Sequence, residues 1–126
     1  MSNHLTAVRR RIHLALRAKG FNVFEVLPEV VTPPCVWIAP DDPYTTREGA
    51  TFRGLIVRLQ VNFAAAAGVN DAAAEALDAL ALDVQDALEE IDDLHVGDIG
   101  RVGVAPLNAQ EYLAASIAVQ TEIHRS

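Results

Sequence analysis

Along LIVRLQVNF, residues 55–63, the apolar side chains fall on every second position. Leu55, Val57, Leu59, Val61 and Phe63 would share one face of a strand, with Arg58, Gln60 and Asn62 on the other and Ile56 among them. Period-two alternation belongs to a half-buried strand, because successive side chains of an extended chain leave opposite faces. A strand with one apolar face constrains the fold strongly. It needs neighbours along both edges and a second layer over its apolar side.

Two stretches with helical period can supply that layer. Leu5, Val8, Ile12 and Leu16 recur at three- and four-residue spacing, with Asn3 or Ser2 as a cap and Gly20 as the stop. Leu14 lies nearly opposite this stripe, in line with Ala7 and Ala18 and flanked by Arg10, Arg11 and Arg17. It reads either as an ordinary exposed leucine or as part of a ridge that contacts another subunit. The second helix starts after Asn70, a good cap, and its stripe runs through Ala73, Leu77, Leu80, Ala81, Val84, Leu88 and Ile91. Glu75, Asp78, Asp86, Glu89, Glu90 and Asp93 fall around the opposite side.

The remaining segments supply the strand's neighbours. FNVFEVLP reads as a strand ending at Pro28, and EVVTPP as a connector, since Pro33 and Pro34 cannot donate to a ladder. CVWIA is a short apolar strand, followed by a long polar loop over residues 40–51, PDDPYTTREGAT. After HVGDIG come a short strand, RVGVA, and a turn at PLNAQE. The closing strand, YLAASIAVQTEIH, directs Leu113, Ala115, Ile117, Val119 and Ile123 one way and Ser116, Gln120 and Glu122 the other. The expected fold is α+β: one domain over residues 1–126, a two-layer sandwich with both helices on one face of a largely antiparallel sheet of four to five strands.

The charge distribution raises a question that the fold alone does not answer. Residues 70–93 carry nine carboxylates and no base, while the first twenty-four residues hold Arg9, Arg10, Arg11, Arg17 and Lys19 and no acid. Asp71–Glu75, Asp86–Glu90 and Glu89–Asp93 are like-charge pairs one turn apart, each costing about 0.2–0.5 kcal/mol. Glu89, Glu90, Asp92 and Asp93 also crowd the negative end of the helix dipole. Either the apolar stripe outweighs these penalties and the face is solvated, or a basic surface offsets them. That surface would be the first helix of the same chain or of a neighbouring copy, and the second case repeats into a heterologous, self-closing ring.

Little in the sequence points to chemistry. No phosphate-binding, dinucleotide-binding, nucleophile-elbow or zinc-protease motif is present, and His4, His13, His95 and His124 are dispersed. Asp92, Asp93, His95 and Asp98 in DDLHVGD have the letters of a divalent-cation site, but a solvated loop after an acidic helix explains the same letters and is the preferred reading. We therefore expect no catalytic, cofactor or metal site. A net charge of −7 argues against nucleic-acid binding as the principal task. The single Cys35, within PPCVWIAP, excludes an internal disulfide and reads as a small core hydrophobe. No segment reaches the ~20 apolar residues of a membrane helix, and nothing resembles a signal peptide, so the chain is expected to fold in a reducing cytoplasm.

The whole chain, from the first helix through VFEVLPEVVTPPCVWIAPDDPYTTREGATFRGLIVRLQVNF and NDAAAEALDALALDVQDALEE to the closing strand, resembles the tail terminator (tail completion) proteins of long-tailed bacteriophages, above all those of phages infecting actinobacteria. The marks of the likeness are the LPE and TPP connectors, the PDDPY turn and the order of elements. The resemblance implies a structural virion protein without catalysis or cofactor, assembled in the host cytoplasm and located at the head-proximal end of the tail. There it would form a ring, usually a hexamer, that stops polymerisation of the tail tube protein and offers a surface to the head–tail connector protein, with genomic DNA passing through without sequence-specific binding. By that likeness the helices lie outward, and Arg58, Gln60, Asn62, Ser116 and Gln120 line or approach the lumen. Asp41, Asp42, Tyr44, Arg47 and Glu48 would project on a loop towards tube or neck. Arg10, Arg11, Leu14 and Arg17 would meet Glu75, Asp78, Asp86 and Glu89 between subunits. A neck connector or minor tail protein shares this short α+β build, and a small-molecule-binding or enzymatic domain is the alternative of a different class.

Overall fold

In the computed structural model the described residues are 4–26, 32–47, 54–67, 70–100, 102–107 and 110–124. Helix α1 (His4–Ala18) buries Val8, Ile12 and Leu16, with Leu5 half-buried at its start. It ends in a glycine-dependent C-cap: Gly20 has φ +96°, its N–H donates to the Arg17 carbonyl at 3.0 Å, and the Phe21 N–H reaches the Leu16 carbonyl at 3.3 Å. These two bonds satisfy carbonyls that the helix end would leave open, and they turn Phe21 back onto the core. Helix α2 (Asp71–Glu89) is capped by Asn70, whose side-chain oxygen accepts from the Ala73 N–H at 2.9 Å. Ala73, Leu77, Ala81, Val84, Ala87 and Leu88 are its buried face, with Leu80 and Ile91 at the rim.

Six strands form one sheet: β1 (Val23–Phe24), β2 (Cys35–Arg47), β3 (Gly54–Ala67), β4 (His95–Ile99), β5 (Gly103–Leu107) and β6 (Gln110–His124). The order is β1-β2-β3-β6-β4, with β5 also paired to β6. Among the described strands, β1–β2 is the parallel pair and the others are antiparallel. The alternating strand β3 is therefore central, flanked by β2 and β6. Its buried positions continue across the sheet in rows, Val36–Phe63–Ala115 and Ile38–Val61–Ile117, and Leu59–Val119–Val96 makes a third. These rows and the apolar stripes of α1 and α2 belong to one core cluster, in which Ile12, Leu16, Val61, Phe63, Val84, Leu88 and Ile117 are sealed from water. Thr121, the buried polar side chain of this face, donates to the Asp93 carbonyl at 2.7 Å and ties β6 to the turn after α2.

The α+β class and the mostly antiparallel pairing match the expectation, but the strand inventory differs. The sheet has six strands because HVGDI, read as part of a connector, is β4. It has only two large apolar residues, Val96 and Ile99, and its pairing depends on β6. Gly97 lies so close to that strand that a Cβ there would stand 2.9 Å from the Ala118 carbonyl oxygen. Of the expected strand over 21–28, the described residues 21–26 contribute Val23 and Phe24 to the ladder, and 27–28 lie outside the described residues. The expected polar loop over 40–51 is, as far as it is described, a continuation of β2. Pro40 faces Leu59 and Thr45 faces Val57, so residues 41–44 bulge opposite Arg58. The bulge absorbs the turn-forming Asp41, Asp42 and Pro43, and the β-favouring Tyr44, Thr45 and Thr46 resume the strand. Residues 48–51, including Glu48, lie outside the described residues.

Two substitutions test this account by chemical denaturation. Leu88→Ala opens a cavity at a fully buried site and should cost about 2–5 kcal/mol. Gly20→Ala meets no atom within 4 Å but forces a side chain into positive φ, and should cost about 1–2 kcal/mol. Both should lower the midpoint with little change in slope.

Candidate functional site

The register of β3 and β6 places Arg58 opposite Gln120 and Asn62 opposite Ser116, with Gln60 opposite Ala118. Because these positions alternate with the buried ones, Arg58, Gln60, Asn62, Ser116 and Gln120 all lie on the sheet face away from the core cluster. Asp41 joins them from the β2 bulge. Its Oδ1 accepts from Gln60 Nε2 at 3.1 Å and from the Asp42 N–H at 2.9 Å, and its Oδ2 lies 3.9 Å from Arg58 Nη2. Asp41, Arg58 and Gln120 line a shallow depression of about 230 Å³ together with His95 and Gly97 of β4.

Further along the same face the surface changes character. Cys35, Ala64, Leu107 and Tyr112 form a second buried cluster, edged by Phe24, Trp37 and Ala114. Each small residue is inconspicuous in sequence; the register stacks Cys35, Ala64 and Ala114 side by side. The face expected to be polar is thus polar at one end and apolar at the other. Burial pushes the Cys35 thiol above its ordinary value, which keeps it protonated and unreactive.

Tyr44 and Asp41 do not project outward as the loop reading expected. The Tyr44 hydroxyl accepts from Arg9 Nη2 at 3.0 Å, the guanidinium carbon stands 6.0 Å from the ring centroid, and the ring packs against the main core. That distance is at the outer limit of a cation–π contact, so the hydrogen bond and packing hold the ring. Asp42 and Arg47 are exposed.

The helix faces answer half of the charge question. Lys19 Nζ meets Glu90 Oε2 at 2.6 Å, and Arg11 Nη2 donates to the Asp92 carbonyl at 3.2 Å. Both contacts sit at the C-terminal end of α2, where cations offset the dipole, and both are exposed, so each contributes little. Arg10 Nε lies 3.5 Å from Glu25 Oε1 without hydrogen-bond geometry. Elsewhere the faces are unmatched: Glu75, Asp78, Asp86 and Glu89 are exposed and, among the described residues, neither they nor Arg17 form an ion pair. Leu14 is 57% exposed on α1, and Leu82 is 57% exposed amid the acids of α2. Leu82 escaped the sequence reading, although it falls opposite the α2 stripe as Leu14 does opposite its own.

Among the described residues, no group of three or more His, Cys, Asp or Glu is placed to hold a metal ion; Asp92, Asp93, His95 and Asp98 do not converge. No described helix is long and apolar enough to cross a membrane. No protein-family profile and no curated protein matches this chain.

The buried thiol gives a direct check on the second cluster. Cys35 should react with a thiol reagent at neutral pH far more slowly in the native protein than in denaturant. Equal rates would mean that the Cys35–Tyr112 cluster is open.

Proposed function

We propose that this chain is a tail terminator of a long-tailed bacteriophage, a non-enzymatic structural protein that closes into a ring with its own copies at the head-proximal end of the tail. The reading rests first on the resemblance of the whole sequence. The observation that carries it further is the unmatched charge on the two helices. An acidic face on which Glu75, Asp78, Asp86 and Glu89 form no ion pair among the described residues, and a basic face on the neighbouring helix, suit a subunit that meets its own copies head to tail.

In this reading the fold is a two-layer sandwich, with both helices over one sheet face and turned outward in the ring. The opposite face, with Arg58, Gln60, Asn62, Ser116 and Gln120 at its polar end, borders the channel. DNA passes this surface without sequence-specific contacts, in keeping with a mixed polar face and a net charge of −7. Because Asp41 and Tyr44 are held against their own chain, the exposed Asp42 is the residue of this segment left to contact tube or neck. The partners are the tail tube protein on one rim and the head–tail connector on the other, and the six-membered ring is carried over from the resemblance.

Electron microscopy of phage assembled with and without the chain tests the proposal. Without it, tails should be overlong and should lack heads, and supplying the protein should restore normal length. Tails of normal length that fail to join heads would identify a connector instead. Normal, headed tails would overturn any virion role.

A further inference from the structure

The outer faces of α1 and α2 are built on one plan with opposite charge. On α1, Leu14 is 57% exposed and its helical neighbours one turn away are Arg10, Arg11 and Arg17. Ala7 and Ala18, also exposed, continue the ridge on either side and let another surface approach the backbone. On α2, Leu82 is equally exposed, with Asp78 and Asp86 one turn away and Glu75 and Glu89 two turns away. Beside it a groove of about 260 Å³ runs between α2 and the β4–β5 edge, lined by Leu77, Ala81, Leu82, Ile99 and Val102, with Asp78 at its rim. Val102 is 48% exposed. The exposed surface therefore includes an apolar ridge flanked by arginines and an apolar groove with Asp78 at its rim.

We infer that the occupant of the α2 groove is the α1 ridge of a second copy, Leu14 entering beside Leu82 and Val102 while Arg17 meets Asp78. Charge complementarity selects this occupant. Asp78 is the charged residue that lines the groove, and the chain's own ridge combines an exposed leucine with Arg17, which forms no ion pair among the described residues. The apolar centre supplies affinity, and the rim charges set orientation and encounter rate. Ridge and groove belong to different helices, so each copy offers one of each and the contact is heterologous. The inference rests on the ring reading above and names the surfaces through which the ring closes.

Sedimentation and native mass spectrometry of the full chain, alone and with tail tubes, test it. Leu14→Asp and Leu82→Asp change exposed side chains, and unchanged circular dichroism and melting will verify that both variants fold. Each should weaken self-association by about tenfold or more. A 1:1 mixture of the two should recover pairing and stop at the pair, since one variant keeps the groove and the other the ridge. Arg17→Glu should likewise weaken assembly, and adding Asp78→Arg in the same chain should recover much of it, in a salt-sensitive way. Assembly by both leucine variants as in the wild type would overturn this contact and leave the ring reading standing. A mixture that stays monomeric would also overturn it. A wild-type chain that remains monomeric at every concentration and on tubes would overturn both.

Discussion

Val57, Leu59, Val61 and Phe63 of β3 are almost wholly removed from water, and most of the architecture follows from that burial. Each such side chain contributes about 1.5–3 kcal/mol when fully buried, but only if a second layer covers it and both strand edges are paired. β2 and β6 provide the pairing, and the stripes of α1 and α2 join the same cluster. With the inner face committed to packing, the other sheet face and the outer faces of the helices remain for whatever the molecule recognises.

Those remaining surfaces are not interchangeable. The second sheet face has an internally bonded polar end, where Asp41 gathers Gln60 and Arg58, and an apolar end sealed by Tyr112 and Leu107. Groups already bonded to one another have less to gain from a partner. The helix faces are the reverse case, since Glu75, Asp78, Asp86, Glu89 and Arg17 form no ion pair among the described residues. This contrast favours the helices as the adhesive surfaces and the sheet as a passive wall.

The parts legible in the sequence were those set by short-range periodicity. Period two in β3 and the three-to-four spacing in α1 and α2 identified the core, and Asn70 and Gly20 marked helix ends by their backbone chemistry. The grouping of Arg58, Gln60, Asn62, Ser116 and Gln120 was also legible, because side-chain parity along two paired strands decides it. What depended on distant partners was not. HVGDI shows no alternation and becomes a strand only beside β6, while PDDPY has turn composition yet is taken up as a bulge within β2. The inward turn of Asp41 and Tyr44 follows from that bulge and from Arg9. The Cys35–Ala64–Ala114 row arises from register between three strands, each contributing one small residue. Leu82 was overlooked for a different reason: it interrupts an acidic face, and attention to charge conceals an aliphatic residue at its centre.

The placement of β6 has a consequence for how the chain is made. Its long ladder with β3 joins segments separated by α2, β4 and β5, so the central strand gains its second neighbour only once β6 has been made. Until then the nascent hairpin of β2 and β3 presents a bare hydrogen-bonding edge beside half-covered aliphatic side chains. Closure of so large a loop is entropically slow. A fragment that stops short of β6 therefore keeps β3 with one edge unpaired and its apolar face half-covered.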